Sequence, residues 1–203
     1  MKITKMVMSQ KDKNKIHIYL DNEYFTDINV EVVYKLNLKK DKEIDLELLD
    51  KIKAEEDFNK CYTKALTLLS KTLKTKKQLK DYLYQKEFST QTINMCIEKL
   101  EKINLINDDN YCKRYIEQEK SKKGKLAIKN SLILKGINKE TIEKNLIDID
   151  NQKDAINTLI KKYMKNKTYD MKNIQKLKRY LLSKGFSYNE INSCVGENDE
   201  SWD

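Results

Sequence analysis

The chain repeats itself every 49 residues, and this constrains its fold more than any other feature. Three segments carry the repeat: KQLKDYLYQKEFSTQTINMCI (Lys77–Ile97), KLAIKNSLILKGINKETIEKNL (Lys125–Leu146) and NIQKLKRYLLSKGFSYNEINSCV (Asn173–Val195). Anchored on Lys86, Lys135 and Lys184, they align without a gap. Leu79/Ile128/Leu177, Leu83/Leu132/Leu181, Phe88/Ile137/Phe186, Ile93/Ile142/Ile191 and Ile97/Leu146/Val195 fall in common columns. Self-similarity at such a period marks a stacked array, whose small units share their apolar faces.

Each aligned position has a local physical role. The first two columns are four residues apart and form one apolar face of a helix. Gly136 and Gly185 follow the anchoring lysine, at the place where a left-handed residue ends a helix. Ser89, Asn138 and Ser187 are suited to capping the next helix. Phe88, Ile137 and Phe186 precede those caps, with Ile93, Ile142 and Ile191 at the fourth helical position, a hydrophobic staple in every copy. Glu190 completes a capping box with Ser187. The first copy departs by placing Glu87 where the others have glycine, a cost of ~1 kcal/mol if its backbone is left-handed.

A further helix precedes each pair: Phe58–Ser70, then Asp109–Lys120 capped by Asn107 or Asp108, then Gln152–Met164. The expected fold is therefore mainly α, with three tandem three-helix repeats in an elongated curved array. Residues 58–103, 104–147 and 148–196 are the expected repeats, and 197–203 an acidic tail. Residues 1–57 read as a separate extension. Lys2 to Met8 and Ile16–Leu20 read as strands, with Asp21-Asn22 as the turn before Tyr24-Phe25, giving a small hairpin or three-stranded sheet. Asn29–Leu38 turns helical, KKDKE is a loop, and Ile44–Ala54 begins a second helix.

Composition narrows the function. Charged residues are 36% and hydrophobic ones 39% of the 203, a thin supply of core that suits several small modules better than one deep one. No apolar run approaches the ~18 residues of a membrane span, and the N-terminus lacks a signal-peptide run, so a cytoplasmic protein is expected. Cys61, Cys96, Cys112 and Cys194 show no metal-type spacing and read as reduced, semi-buried thiols. The four glycines stand alone, so no Gly-rich phosphate loop exists.

The net charge of +9 is unevenly placed. Residues 58–195 carry +15, against −1 for 1–50, −1 for 51–57 and −4 for 196–203. Basic runs recur at Lys71–Lys77 and Lys120–Lys125, both between the first and second helices of a module, and again from Lys161 to Lys167. A repeated body with basic junctions predicts a basic stripe for a polyanion or an acidic groove. The candidate contact residues are Lys71, Lys74, Lys76, Lys77, Lys80, Arg114, Lys122, Lys123, Lys125, Lys129, Lys178 and Arg179. With only two arginines, base-specific readout is not expected.

No catalytic constellation emerges. His17 is the sole histidine and sits in a candidate strand, on its exposed side. Asp108-Asp109 stands at a helix start, where acidic residues cap and oppose the dipole rather than hold a metal. Tyr82, Tyr115, Tyr163 and Tyr180 occupy packing positions. Neither enzyme, cofactor nor metal is expected.

Beyond these features, the chain resembles the RecX family of RecA regulators. The residues that carry the resemblance are Ala65–Ser70, Leu79–Lys86, Ile93–Leu100, Leu105 through Asp109 to Tyr111, and Leu132–Ile137, within a match from about Ala54 to Val195. IHIYLDNEYF (Ile16–Phe25) stands where longer members carry a strand–turn–strand extension. Departures are Glu87 for glycine, Cys112 for a common alanine, Asp41 where a glycine often stands, and lysines for arginines, which bears on any bidentate contact. The resemblance implies a non-enzymatic monomer that docks in the groove of the RecA–DNA filament. There it would lower ATP hydrolysis, strand exchange and coprotease activity in homologous recombination, DNA repair and the SOS response. Direct binding of DNA through the basic stripe is the alternative.

Overall fold

The computed structural model describes the chain except Asp148, Asp150, Asn151 and residues 200–203; the side chains of 196–199 are also outside the description. Three strands open it, β1 (Ile3–Met8), β2 (Lys15–Leu20) and β3 (Glu23–Asn29). Helices α1 (Val30–Lys35), α2 (Leu46–Leu69), α3 (Lys76–Tyr84) and α4 (Thr90–Lys102) follow. Then come α5 (Asp108–Glu119), α6 (Lys125–Leu134), α7 (Lys139–Leu146), α8 (Lys153–Met164), α9 (Met171–Ser183) and α10 (Tyr188–Asp199). The chain divides into two compact units, Met1–Thr72 with Leu79–Leu105, and Leu73–Gln78 with the chain from Ile106 onward.

In the first unit the strands form an antiparallel sheet in the order β1-β2-β3. Asp21 and Asn22 both have positive φ (47° and 73°), the two-residue turn that matches the twist of its strands. Alternation puts Ile18, Leu20 and Ile28 on the inner face, where they pack with Ile3, Val32, Val33, Leu38, Ile44, Leu49 and Ile52. Asn29 caps α1 and accepts from the Glu31 amide.

The two helices expected over Ile44–Ala54 and Phe58–Ser70 are one continuous helix, α2, capped by Asp45. Glu55, Glu56 and Asp57 are merely polar, and nothing in the stretch breaks a helix. Leu49 and Ile52 near its start serve the sheet core, while Cys61 and Ala65 further on are buried toward α4. The limit placed between 57 and 58 thus lies within a helix. Leu79, Leu83, Ile93, Cys96, Ile97 and Leu100 are buried around it.

The second unit holds α5–α7 and α8–α10, each trio around its own core. Cys112, Ile116, Ile128, Leu132, Ile137, Ile142 and Leu146 fill one, and Ile156, Ile160, Leu177, Leu181, Phe186 and Ile191 lead the other. The repeat signature is realised atom by atom. Phe88, Ile137 and Phe186 each donate their amide to the carbonyl five residues back, Leu83, Leu132 and Leu181, at 3.4, 3.1 and 3.3 Å. The residue between is left-handed in every copy: Glu87 (φ 64°), Gly136 (85°) and Gly185 (86°). Ser89 and Asn138 accept from Thr92 and Thr141 amides, and Ser187 forms its capping box with Glu190. Asn107 is the cap of α5.

Candidate functional site

The basic junctions are built on a fixed backbone. Thr75 is fully buried; its hydroxyl donates to the Lys135 carbonyl at 2.7 Å, and its side chain and that of Gln78 cap each other's amides. One repeat later, the Gly124 amide donates to the Lys184 carbonyl at 2.9 Å. A Cβ on Gly124 would lie 2.1 Å from the Gly185 carbonyl oxygen, so only glycine permits this approach. The first amide of the adjoining helix is satisfied likewise in both places, Lys76 N–H by Asp108 Oδ1 (2.8 Å) and Lys125 N–H by Gln152 Oε1 (3.0 Å). The buried Gln152 amide also donates to the carbonyls of Lys120 and Lys123, both at 3.0 Å. The loop 120–125 is therefore held through its backbone by the Gln152 side chain, leaving the Lys122 and Lys125 side chains exposed.

Those side chains divide by what already engages them. Lys71, Lys77, Lys122, Lys125, Arg114 and Arg179 are exposed; Lys74, Lys76, Lys80, Lys123, Lys129 and Lys178 are half-buried. Lys77 donates to the Leu134 carbonyl. Lys123 pairs with Glu119 at 2.8 Å, which raises its pKa, and lies 5.9 Å from the Tyr115 ring centre. Arg114 borders a shallow hollow of about 170 Å³ with Leu73, Tyr111, Tyr115 and Gln118.

Three of the candidates, Lys80, Lys129 and Lys178, occupy one repeat column, and the first two brace their own modules. Lys80 donates to Asn94 Oδ1 at 3.0 Å, and Lys129 pairs with Glu143. In the third module the corresponding residues are Lys178 and Asn192, yet Asn192 Oδ1 is buried without a partner. Lys80 and Lys129 thus hold the second and third helices of a module together.

Sequence reasoning missed two surface features. The anchoring lysines Lys86, Lys135 and Lys184 lie over Tyr82, Tyr115 and Tyr180, at 5.7, 5.3 and 5.3 Å. Their constancy at the repeat anchor was the available signal. Lys125 and Lys129 also flank an apolar groove of about 380 Å³ formed by Leu126, Leu146 and Ile147. Leu126 is 61% and Ile147 73% exposed. A charge census alone does not reveal such a groove.

The acidic pair is structural. Asp108 serves Lys76, while Asp109 accepts from the buried Asn145 amide (2.8 Å) and pairs with Lys113 (2.8 Å). These contacts, Asn145 first, hold the Asp109 carboxyl below the ordinary range. His17 is half-buried on the outer sheet face against Asp27. All four cysteines are buried thiols. Among the described residues no group of three or more His, Cys, Asp or Glu is placed to hold a metal, and no helix is long and apolar enough to cross a membrane.

Tandem three-helix modules with basic junctions define a helical-repeat protein built to present a surface. Four family models match in turn: the regulatory protein RecX N-terminal domain over residues 1–45, and the first, second and third RecX three-helix domains over 61–100, 107–146 and 150–195. The chain is 40% identical over 200 residues to regulatory protein RecX of Clostridium beijerinckii, covering 96% of this chain and 93% of the relative. It is 36% identical to that of Clostridium perfringens strain 13, covering 96% and 94%. A crystal structure of regulatory protein RecX superposes with a TM-score of 0.82 at 25% identity, covering 96% of this chain and 98% of the other. That of RecX from Lactobacillus salivarius gives 0.65 at 34% identity, over 71% and 98%. The chain belongs to the RecX family of regulatory proteins.

Proposed function

We propose that this protein regulates RecA by docking along the RecA–DNA filament, lowering its ATPase, strand-exchange and coprotease activities. Family membership carries the reading, and the recurring junction supports it. Thr75 and Gly124 fix equivalent backbone contacts one repeat apart, so similar surfaces recur along the chain. A filament of identical subunits offers recurring sites, and weak contacts on a shared scaffold add through effective concentration. The protein acts by binding, as a cytoplasmic monomer without cofactor, in DNA repair and the SOS response. Its functional divisions are 1–57, 58–103, 104–147, 148–196 and the tail 197–203. Added to RecA on single-stranded DNA at stoichiometric or lower ratios, it lowers ATP hydrolysis; unchanged hydrolysis, strand exchange and filament length would overturn the proposal.

A second reading is direct binding of nucleic acid. It draws on Lys122 and Lys125, exposed on a loop whose backbone Gln152 holds. It predicts strongly salt-dependent binding to DNA without RecA. Reversing Lys71, Lys74, Lys76 and Lys77 to Glu abolishes that binding if this reading holds.

A further inference from the structure

The outward face of the N-terminal sheet carries a cluster of rings and lysines that the repeat modules leave unused. The register sets Lys5 opposite Tyr19, Val7 opposite His17, His17 opposite Asp27 and Tyr19 opposite Tyr24. These residues stand side by side on the face away from Ile18, Leu20 and Ile28. Tyr19 and Tyr24 meet edge to face, with ring centres 5.8 Å apart, and His17 lies 6.2 Å from Tyr24.

The rings are fixed before any ligand arrives. Asp27 Oδ1 accepts from the Tyr24 hydroxyl at 2.8 Å and contacts His17 Nδ1 at 2.5 Å. Tyr24 nevertheless remains 57% exposed, so a ring is presented in a set orientation. Beside it opens a cleft of about 610 Å³ under the β1–β2 loop, bordered by Ser9, Lys11, Asp12, Lys15, His17 and Asp27. Lys5 lies 5.3 Å from the Tyr19 ring centre. Asp27 is engaged by both His17 and Tyr24, while Lys5 lies by Tyr19, and Lys11 and Lys15 border the cleft together with Asp12.

A ring shelf next to a lysine-bordered cleft matches one kind of ligand. Unstacked bases lie on aromatic faces while the backbone phosphates meet lysines, and this recognition tolerates any sequence. Duplex does not fit, since its bases are stacked on each other and offer no free face. The Tyr24 hydroxyl proton is committed to Asp27 Oδ1, which His17 also contacts, so the ring face rather than a free hydroxyl donor is what the shelf offers a ligand. We propose that the outer face of the N-terminal sheet, through Tyr19, Tyr24, His17, Lys5 and Lys15, binds single-stranded DNA. This site is distinct from the basic junctions and independent of the RecA reading, so its failure leaves RecA inhibition untouched.

The test uses the full chain and a fluorescein-labelled oligothymidine of roughly ten nucleotides, a length within the site sizes of stacking platforms. Tyr24→Ala weakens binding roughly five- to a hundredfold, the range for one lost stacked base. Tyr24→Phe keeps the ring and stays near the parent affinity. Lys15→Glu lowers the slope of log affinity against log salt by about one or more. A 5-iododeoxyuridine oligonucleotide crosslinks, on irradiation, to a peptide containing Tyr19 or Tyr24. Crosslinks confined to residues 58–195, with Tyr24→Ala binding as the parent does, would overturn the site. Equal damage from Phe and Ala would overturn stacking. An oligouridine bound more than tenfold tighter would overturn the choice of DNA. If Tyr24→Ala unfolds in a thermal melt, the crosslink on the unaltered chain decides alone.

Discussion

The hydroxyl of Thr75 donates to the carbonyl of Lys135 at 2.7 Å, and forty-nine residues later backbone replaces side chain: Gly124 N–H meets the Lys184 carbonyl at 2.9 Å. Two chemically different donors serve one repeated joint. Thr75→Val keeps the shape and leaves a carbonyl without its donor, at a cost of roughly 1–3 kcal/mol. Thr75→Ser retains most of the stability. Gly124→Ala is worse than either, because its Cβ falls 2.1 Å from a backbone oxygen. Denaturant melts of the three variants check the order.

Glu87 holds a left-handed backbone at φ 64°, where its counterparts are Gly136 and Gly185. Glu87→Gly is expected to stabilise the protein by about 1 kcal/mol through relief of this strain. The reverse change, Gly185→Ala, destabilises it, since φ is 86° and the new Cβ would lie 2.4 Å from that of Ala127. The shift in denaturation midpoint reads both signs.

Acid should weaken the fold through two carboxylates. His17 and then Tyr24 hold Asp27 below the ordinary 3.8, and Asn145 and then Lys113 do the same for Asp109. Both folded-state values are depressed, so the unfolded chain takes up protons first as pH falls. Their contribution is complete well above pH ~4 and disappears on acidification through the folded values. Denaturant midpoints between neutral pH and pH ~3 should fall, and Asp27→Asn with Asp109→Asn should flatten that fall.

The basic candidates should separate by variant. Lys122→Glu and Lys125→Glu leave thermal stability unchanged, because both side chains project from the loop that Gln152 holds, and weaken binding to a polyanion. Each is expected to lower the salt slope by about one or more. Lys80→Glu and Lys129→Glu instead lower stability too, since their partners Asn94 and Glu143 lose a brace between helices. Heparin titrations beside thermal melts distinguish the two groups.

Much of this architecture was legible in the residues. Leu79, Ile128 and Leu177 are buried as their common column requires, and Asn107, Ser89 and Asn138 cap where short polar side chains precede apolar runs. Such features are local: a cap, a staple or a left-handed turn depends on a few neighbouring residues. The merging of two expected helices into α2 was not legible, because Glu55, Glu56 and Asp57 neither favour nor forbid continuation. Which lysines are free was equally hidden. Lys129 and Lys178 share a column, yet Lys129 pairs with Glu143, while the residue at the matching position of the third module, Asn192, has a buried Oδ1 without a partner.

By itself, then, the 49-residue period determined that the chain is a helical array with recurring turns, because capping and staple chemistry are read along a few contiguous positions. Only the tertiary structure decided that Thr75 and Gly124 play one part and that Gln152 holds a loop some thirty residues behind it. It also decided that rings and lysines from three strands share one face. Those relations join residues distant in sequence, where the energy of a close approach depends on ångström-scale geometry that residue order does not encode.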